Sequence, residues 1–213
     1  MRKHHHAGVS MFVRSIHLVS AVVSAWLLAS CATMSPEECK RADWGAVGQA
    51  DGLDGQPLSY LDDRAKDCAK VGVAVNTPVY LQGRDEGLRT YCRLDNAVPL
   101  GLSGGTYAGV CPPEIDMAFQ HRFQIARGVY DLRSDVRSLD GQIHNLERRL
   151  RDLNQGEERR LKEAASDEQR KKLREALGDE RRYLRSEIID ADFRLRRKRD
   201  ELRSAEHALS GLR

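Results

Sequence analysis

Residues 132–153 read LRSDVRSLDGQIHNLERRLRDL. Leu132, Val136, Leu139, Ile143, Leu146, Leu150 and Leu153 recur at alternating steps of four and three. That spacing keeps one apolar stripe along a helix and lets two helices bury it against each other. Backwards, the register reaches Val129, Ile125, Ala118 and Ile115, broken by Arg122. A second run, Leu177, Leu184, Ile188, Ala191, Leu195, Leu202, Ala205, Leu209 and Leu212, follows the same grammar but carries Arg181 and Lys198 on its seam. Between the runs, Asn154-Gln155-Gly156 and Ser166-Asp167-Glu168-Gln169 carry turn and cap signals, and the register is lost. We therefore expect residues 114–213 to fold as an antiparallel coiled-coil hairpin. The competing arrangement is a parallel dimer through the first arm, which Val136 and Ile143 at a, with leucines at d, would favour. An arm of about 40 residues would reach about 60 Å.

Upstream the grammar changes. Residues 35–113 are rich in Gly, Asp and Pro, and Cys111-Pro112-Pro113 marks the boundary. Ser35, Pro36 and Glu38 combine an N-cap, a first-position proline and a capping box, and Thr77-Pro78 repeats the cap-then-proline signal. Ser59 to Val71 reads as a helix stopped by Gly72. Three short helices and a glycine-rich loop from Val98 to Gly109 are the expected result. A short echo, Gly48-Gln-Ala-Asp-Gly52-Leu53 and Gly83-Arg-Asp-Glu-Gly87-Leu88, puts paired glycines on one helix face in two places. Close backbone packing is the plain reading of such pairs, and a ligand groove is the alternative.

Apart from Cys31, the cysteines are Cys39, Cys68, Cys92 and Cys111, an even set with no CxxC pair and no histidine among them. Two disulfides fit that set better than zinc, and no metal is expected. If the first two helices are antiparallel neighbours, Cys39 faces Cys68, leaving Cys92 to Cys111; sequence alone also permits two other pairings. The overall expectation is an all-α chain, a disulfide-stapled helical domain over residues 31–113 followed by the hairpin.

The array Cys39, Asp43-Trp44, Gly48, Asp51-Gly52, Cys68, Tyr80, Gly83, Gly87-Leu88, Tyr91-Cys92, Gly105, Tyr107 and Cys111 resembles a family of Gram-negative envelope lipoproteins known only as a domain of unknown function. The resemblance covers roughly residues 31–130. It implies an envelope lipoprotein with paired cysteines and brings no catalytic residues with it.

The first thirty residues have the layout of an export signal: basic Arg2, Lys3 and Arg14, an apolar stretch from Ile16 to Ala29, then small residues. His17, Ser20 and Ser24 interrupt a run already short of the roughly 20 apolar residues that a membrane span requires. Leu28-Ala29-Ser30-Cys31 matches the lipobox, which makes Cys31 the expected lipid attachment residue after cleavage of residues 1–30. Several acyl chains, palmitate among them, at about 0.8 kcal/mol per buried methylene would hold the chain to a membrane. Ala32 in place of aspartate leans the destination toward the outer membrane, periplasmic face. Translation could begin at Met1 or at Met11.

The net charge of +3 is small beside 35 basic and 32 acidic residues, a mixed surface that argues against a nucleic-acid partner. Gly101-Leu102-Ser103-Gly104-Gly105 spells the hydrolase elbow G-x-S-x-G. Neither a βαβ pattern nor any histidine beyond His121, His144 and His207 in the arms supports it. Asp51-Gly52-Leu53-Asp54-Gly55 lacks the ligand alternation of a calcium loop and reads as a turn with solvated carboxylates. The basic run Arg194 to Arg199 reads as a coiled-coil flank balanced by Asp190, Asp192, Asp200 and Glu201, with a lipid-phosphate site as the alternative. Phe119, Phe123 and Tyr130 are expected to pack the disulfide domain onto the base of the first arm, with Trp44 and Tyr80 joining that core. No stretch assembles a nucleophile, a base and an electrophile, and no cofactor is expected. The expected function is a non-catalytic interaction or scaffolding lipoprotein whose coiled coil meets a periplasmic protein or a second copy. Binding of a small ligand or peptidoglycan fragment by the glycine-rich domain is the alternative, and a periplasmic hydrolase the remote one.

Overall fold

The computed structural model describes residues 33–212, so the export signal and Cys31 lie outside the described residues. All regular structure among them is helical: α1 (Pro36–Arg41), α2 (Trp44–Leu53), α3 (Ser59–Ala69), α4 (Thr77–Tyr91), α5 (Leu94–Leu102), α6 (Pro113–Glu163) and α7 (Asp167–Ser210). The chain packs as two compact units that meet in sequence inside α4, one ending at Leu88 and one starting at Arg89.

In the first unit local chemistry sets each helix start. Ser35 caps α1: its hydroxyl accepts from Glu38 N–H (3.3 Å) while the Glu38 carboxylate accepts from Ser35 N–H (2.7 Å). The chain then leaves helical geometry at Ala42, and the Asp43 carboxylate accepts from Gly45 and Ala46 N–H to start α2. That second start makes two helices where one was expected. α3 ends as its sequence predicts: Gly72 adopts φ 74° and Val73 N–H returns to the Cys68 carbonyl (3.0 Å). The cap of α4 lies one residue earlier than Thr77, because the Asn76 side chain accepts from Val79 N–H (3.4 Å). Cys39 of α1 and Cys68 of α3 form a disulfide with 5.3 Å between Cα atoms. It sits in a core with Met34, Trp44 and Tyr80.

Helices α2 and α4 cross at backbone contact. A Cβ on Gly48 would lie 2.0 Å from the Tyr80 carbonyl oxygen, and one on Gly83 would lie 2.0 Å from that of Gly45. Gly52 and Gly87 repeat the relation, each 2.3 Å from the carbonyl oxygen of Arg84 or Gln49. The contact set recurs with the two helices exchanged, a local two-fold arrangement written by the GxxxG echo. The space that a ligand groove would need is filled by backbone.

In the second unit α5, short and containing Pro99, occupies part of the expected Val98–Gly109 loop. Ala97 is fully buried, and a Cβ on Gly101 would lie 2.6 Å from the Phe123 carbonyl oxygen of α6. Tertiary packing thus holds as helix a segment that its proline and glycines disfavour. Cys92 and Cys111 form the second disulfide (Cα–Cα 5.5 Å), closing the segment that leads into α6. Tyr91, Tyr107, Phe119 and Phe123 cluster there, with ring centroids 4.8–5.9 Å apart for the pairs Tyr107–Phe119, Tyr91–Phe119 and Tyr107–Phe123. Trp44 and Tyr80 belong to the other unit's core instead.

α6 and α7 are the two arms of an antiparallel hairpin, 51 and 44 residues long. Leu153, Leu177 and Leu184 bury one stretch of its seam with Leu146, Leu150 and Leu173. Ala126, Val129 and Leu209 bury another with Ile125, Leu202 and Ala205. Arg133 meets Glu206 (2.6 Å) and Arg199 meets Asp140 (3.4 Å) across the arms. The reversal is narrower than expected. Asn154, Gln155 and Gly156 remain helical, and only Ala164 to Ser166 break the helix, with Ser166 accepting from Gln169 N–H. At the base, Ala118 is exposed and Phe119 fully buried, because α6 there packs on the aromatic cluster and not on α7. No helix among the described residues is long and apolar enough to cross a membrane.

Candidate functional site

Each motif with a chemical appearance has a local environment that defines what it can do. Asp51, expected on a solvated turn, is buried in α2. Arg64 of α3 grips it with two charge-assisted hydrogen bonds (Nε–Oδ2 2.7 Å, Nη2–Oδ1 2.6 Å), and the Tyr80 hydroxyl donates to Oδ2 at 2.6 Å. Arg64 also donates to the Thr33 carbonyl (3.3 Å) and lies over the Tyr60 ring. Burial, and then the bond to Asp51, push the Tyr80 phenol well above its usual range. The carboxylate therefore has three donor contacts and no open side for calcium. It is a buried, satisfied strut between α2, α3 and α4, and losing either Asp51 or Arg64 would leave the other's charge unpaired.

Ser103 lies at the end of α5, where its hydroxyl donates to the Leu100 carbonyl (2.8 Å) and Gly104 turns with φ 78° beneath the Tyr130 ring. Arg127 of α6 donates to the carbonyls of Gly104 and Gly105 (3.1 and 2.8 Å) and lies 5.5 Å from the Tyr130 centroid. The glycines of this segment serve a helix C-terminus clamped onto α6. Tyr107 donates its hydroxyl to Asp116 and accepts from Cys111 N–H (3.2 Å), fastening the disulfide to the first turn of α6. Burial first, then Asp116, push its phenol up to about 12.

An open groove of about 390 Å³ runs beside α1 and the start of α2, with Met34, Ala42, Ala46 and Val47 as apolar floor and Glu37, Glu38, Arg41 and Asp43 along the rim. In the basic run, Arg196 pairs with Asp192 (2.5 Å), Arg197 with Glu201 (3.7 Å), Lys198 with Asp135 and Glu201 (3.2 and 2.9 Å), and Arg199 with Asp140. These cations largely serve the hairpin itself. The two cations on the second seam are accommodated in the same way, Arg181 by Asn154 and Glu157 of α6 and Lys198 by Asp135. Arg122, which breaks the first seam, donates to the Leu212 carbonyl beyond α7 (3.1 Å).

The matched family spans a large part of this packing. Residues 43–128 match the family described as protein of unknown function (DUF2799). The DUF2799 match begins at Asp43, the cap of α2, and ends at Gly128 in α6. It includes the Gly48–Gly87 crossing, the Asp51 strut, the Cys92–Cys111 disulfide and the aromatic cluster. Most of α6 and all of α7 lie beyond it. No curated protein and no solved structure matches the chain. Sequence reasoning located the cysteine pairs and the glycine echo but missed the Asp51–Arg64–Tyr80 strut. Its one legible trace is that Asp51 sits between Gly48 and Gly52 on a helix, next to the face that packs.

Proposed function

We propose that the chain is an envelope lipoprotein, anchored through lipid on Cys31 to the periplasmic face of the outer membrane, and that its α6–α7 hairpin is a non-catalytic interaction module. The observation that carries the interaction reading is the hairpin itself. Two helices of 51 and 44 residues bury a thin seam against each other and leave most of their length as outward surface, far more than the second unit needs to close its own core. The anchor reading rests on Leu28-Ala29-Ser30-Cys31, which stands two residues before Thr33. Thr33 is itself tied down: Asp67 accepts from its N–H (2.6 Å) and its hydroxyl (3.0 Å), so a tether at Cys31 would start from a fixed point on α3.

Photocrosslinkers placed in living cells at Arg159 and Arg185, outward on the two arms, test the reading against positions Asp62 and Lys70 in the first unit. Protein adducts from the arms are the expected result. Adducts confined to the first unit would contradict it. The ligand reading is favoured by one feature, the groove beside Met34, and predicts that peptidoglycan fragments change the fluorescence of Trp44, which shares a core with Met34, Ala42 and Val47 of the groove's floor.

A further inference from the structure

The outer face of α7 carries a second heptad seam. Glu175, Asp179, Arg182, Ser186, Ile189, Phe193, Arg196, Asp200, Arg203 and His207 follow one another at alternating steps of four and three. All ten are exposed, on the side of α7 away from Leu177, Leu184, Ala191 and Leu195. Ile189 and Phe193 at its middle are each 68 % exposed, an adjacent apolar pair on an otherwise charged face.

The order of side chains on this seam is self-complementary under reversal. Laid antiparallel on a copy of itself about the level of Ala191, Ile189 meets Phe193, Ser186 meets Arg196, Arg182 meets Asp200, Asp179 meets Arg203 and Glu175 meets His207. Each match joins the two alternating seam positions to one another, which is how the layers of an antiparallel coiled coil pair. None of the matches opposes like charges. Within one chain Asp179 already pairs with Arg182, and Asp200 with Arg203. Docking would therefore merge two such pairs into a four-charge cluster on either side of the apolar centre. A patch that fits its own copy through a two-fold axis is the signature of an isologous interface.

We propose that the outer face of α7 is a self-association surface, through which two copies of this chain pair antiparallel along Glu175 to His207, a contact of about 48 Å. The inference deepens the interaction reading by naming a second copy as partner of this one face, and it does not depend on the lipid anchor.

The test uses the full chain in cells carrying Ser186→Cys with Arg196→Cys, treated with a bismaleimide. Cys39, Cys68, Cys92 and Cys111 are tied up in disulfides. A covalent dimer is expected from the double variant, and far less from either single variant, since like positions are separated in an antiparallel pair. Arg182→Glu on this background should lower the dimer yield by about three- to tenfold, because two symmetric ion pairs become repulsive. Adding Asp200→Arg should restore it; the two sites lie about 27 Å apart along one helix, so the rescue can act only through the partner copy. Phe193→Asp should abolish the dimer with helix content unchanged. Absence of dimer, dimer from single variants alone, or loss without rescue would each overturn the proposal. If the Arg159 and Arg185 crosslinkers still capture other proteins in that event, the interaction reading stands without this face; if they capture none, both fail.

Discussion

Gly48 and Gly141 are both helical glycines, and their surroundings give them opposite consequences. At Gly48 a methyl group would overlap the Tyr80 carbonyl, which is backbone and cannot swing aside, so Gly48→Ala should destabilise the first unit by about 1–3 kcal/mol. At Gly141 nothing lies within 4 Å, so Gly141→Ala should stabilise α6 by about 0.5–1 kcal/mol. Denaturant unfolding of the two variants checks the contrast in sign. Tyr107 carries a pH signature. Its folded-state pKa is raised to about 12 by burial and by its bond to Asp116, so the stability it contributes is complete below the unfolded value of about 10. That contribution is lost as pH rises through 12. Tyr107→Phe should flatten the decline between pH 10 and 12, at a cost of about 1 kcal/mol at neutral pH from the lost hydrogen bonds. At this scale the sequence is legible where a residue acts on its neighbours, as Ser35 with Glu38 or Gly72 after α3. Asp51 acts on Arg64 and Tyr80, distant in sequence, and its letters alone looked like an exposed turn.

Among the elements, the seam residues Leu146, Leu150, Leu153, Leu177, Leu184 and Leu195 were readable because a heptad repeats its message many times. Its ends were not. Asn154-Gln155-Gly156 stays helical because the arms continue to bury leucines and because Arg181 reaches Asn154 and Glu157, interactions that outweigh the weak local preference of three residues. Ala118 fits the register yet faces water, since near the base α6 answers to Phe119 and the aromatic cluster. α5 was hidden by Pro99, which is exposed, and by Gly101, whose reason is contact with α6. Leu195 is 3 % exposed, so Leu195→Asp should cost about 3–5 kcal/mol and melt helix locally in the arms while leaving the first unit folded. Circular dichroism with proteolytic mapping would read both effects. The disulfides close loops with sequence separations of 29 and 19 residues, and by loop entropy each contributes about 3–4 kcal/mol. Reduction should therefore lower the unfolding midpoint of both units, more than it changes the distal part of the hairpin.

The molecule as a whole combines a region matched by DUF2799 over residues 43–128 with a hairpin that extends beyond it, and the lipid anchor is a proposal for the segment before Thr33. The fold class was written in composition: glycines and cysteines upstream of Pro112, a charged heptad text downstream. The proposed function was less legible, because an interaction module would declare its partner only through surface pattern and a lipid anchor only through a short motif. The proposed anchor would commit the chain to an oxidising compartment, in keeping with the two disulfides, and the proposed partner would have to be found there. The most direct measurement is the intact mass of the N-terminal peptide of the chain recovered from cell membranes. The account predicts a chain that begins at Cys31 with its mass increased by a diacylglyceryl group and a further acyl chain, and a Cys31→Ser variant that leaves the membrane fraction. An N-terminus at any other residue, or Cys31 recovered without lipid, would contradict it.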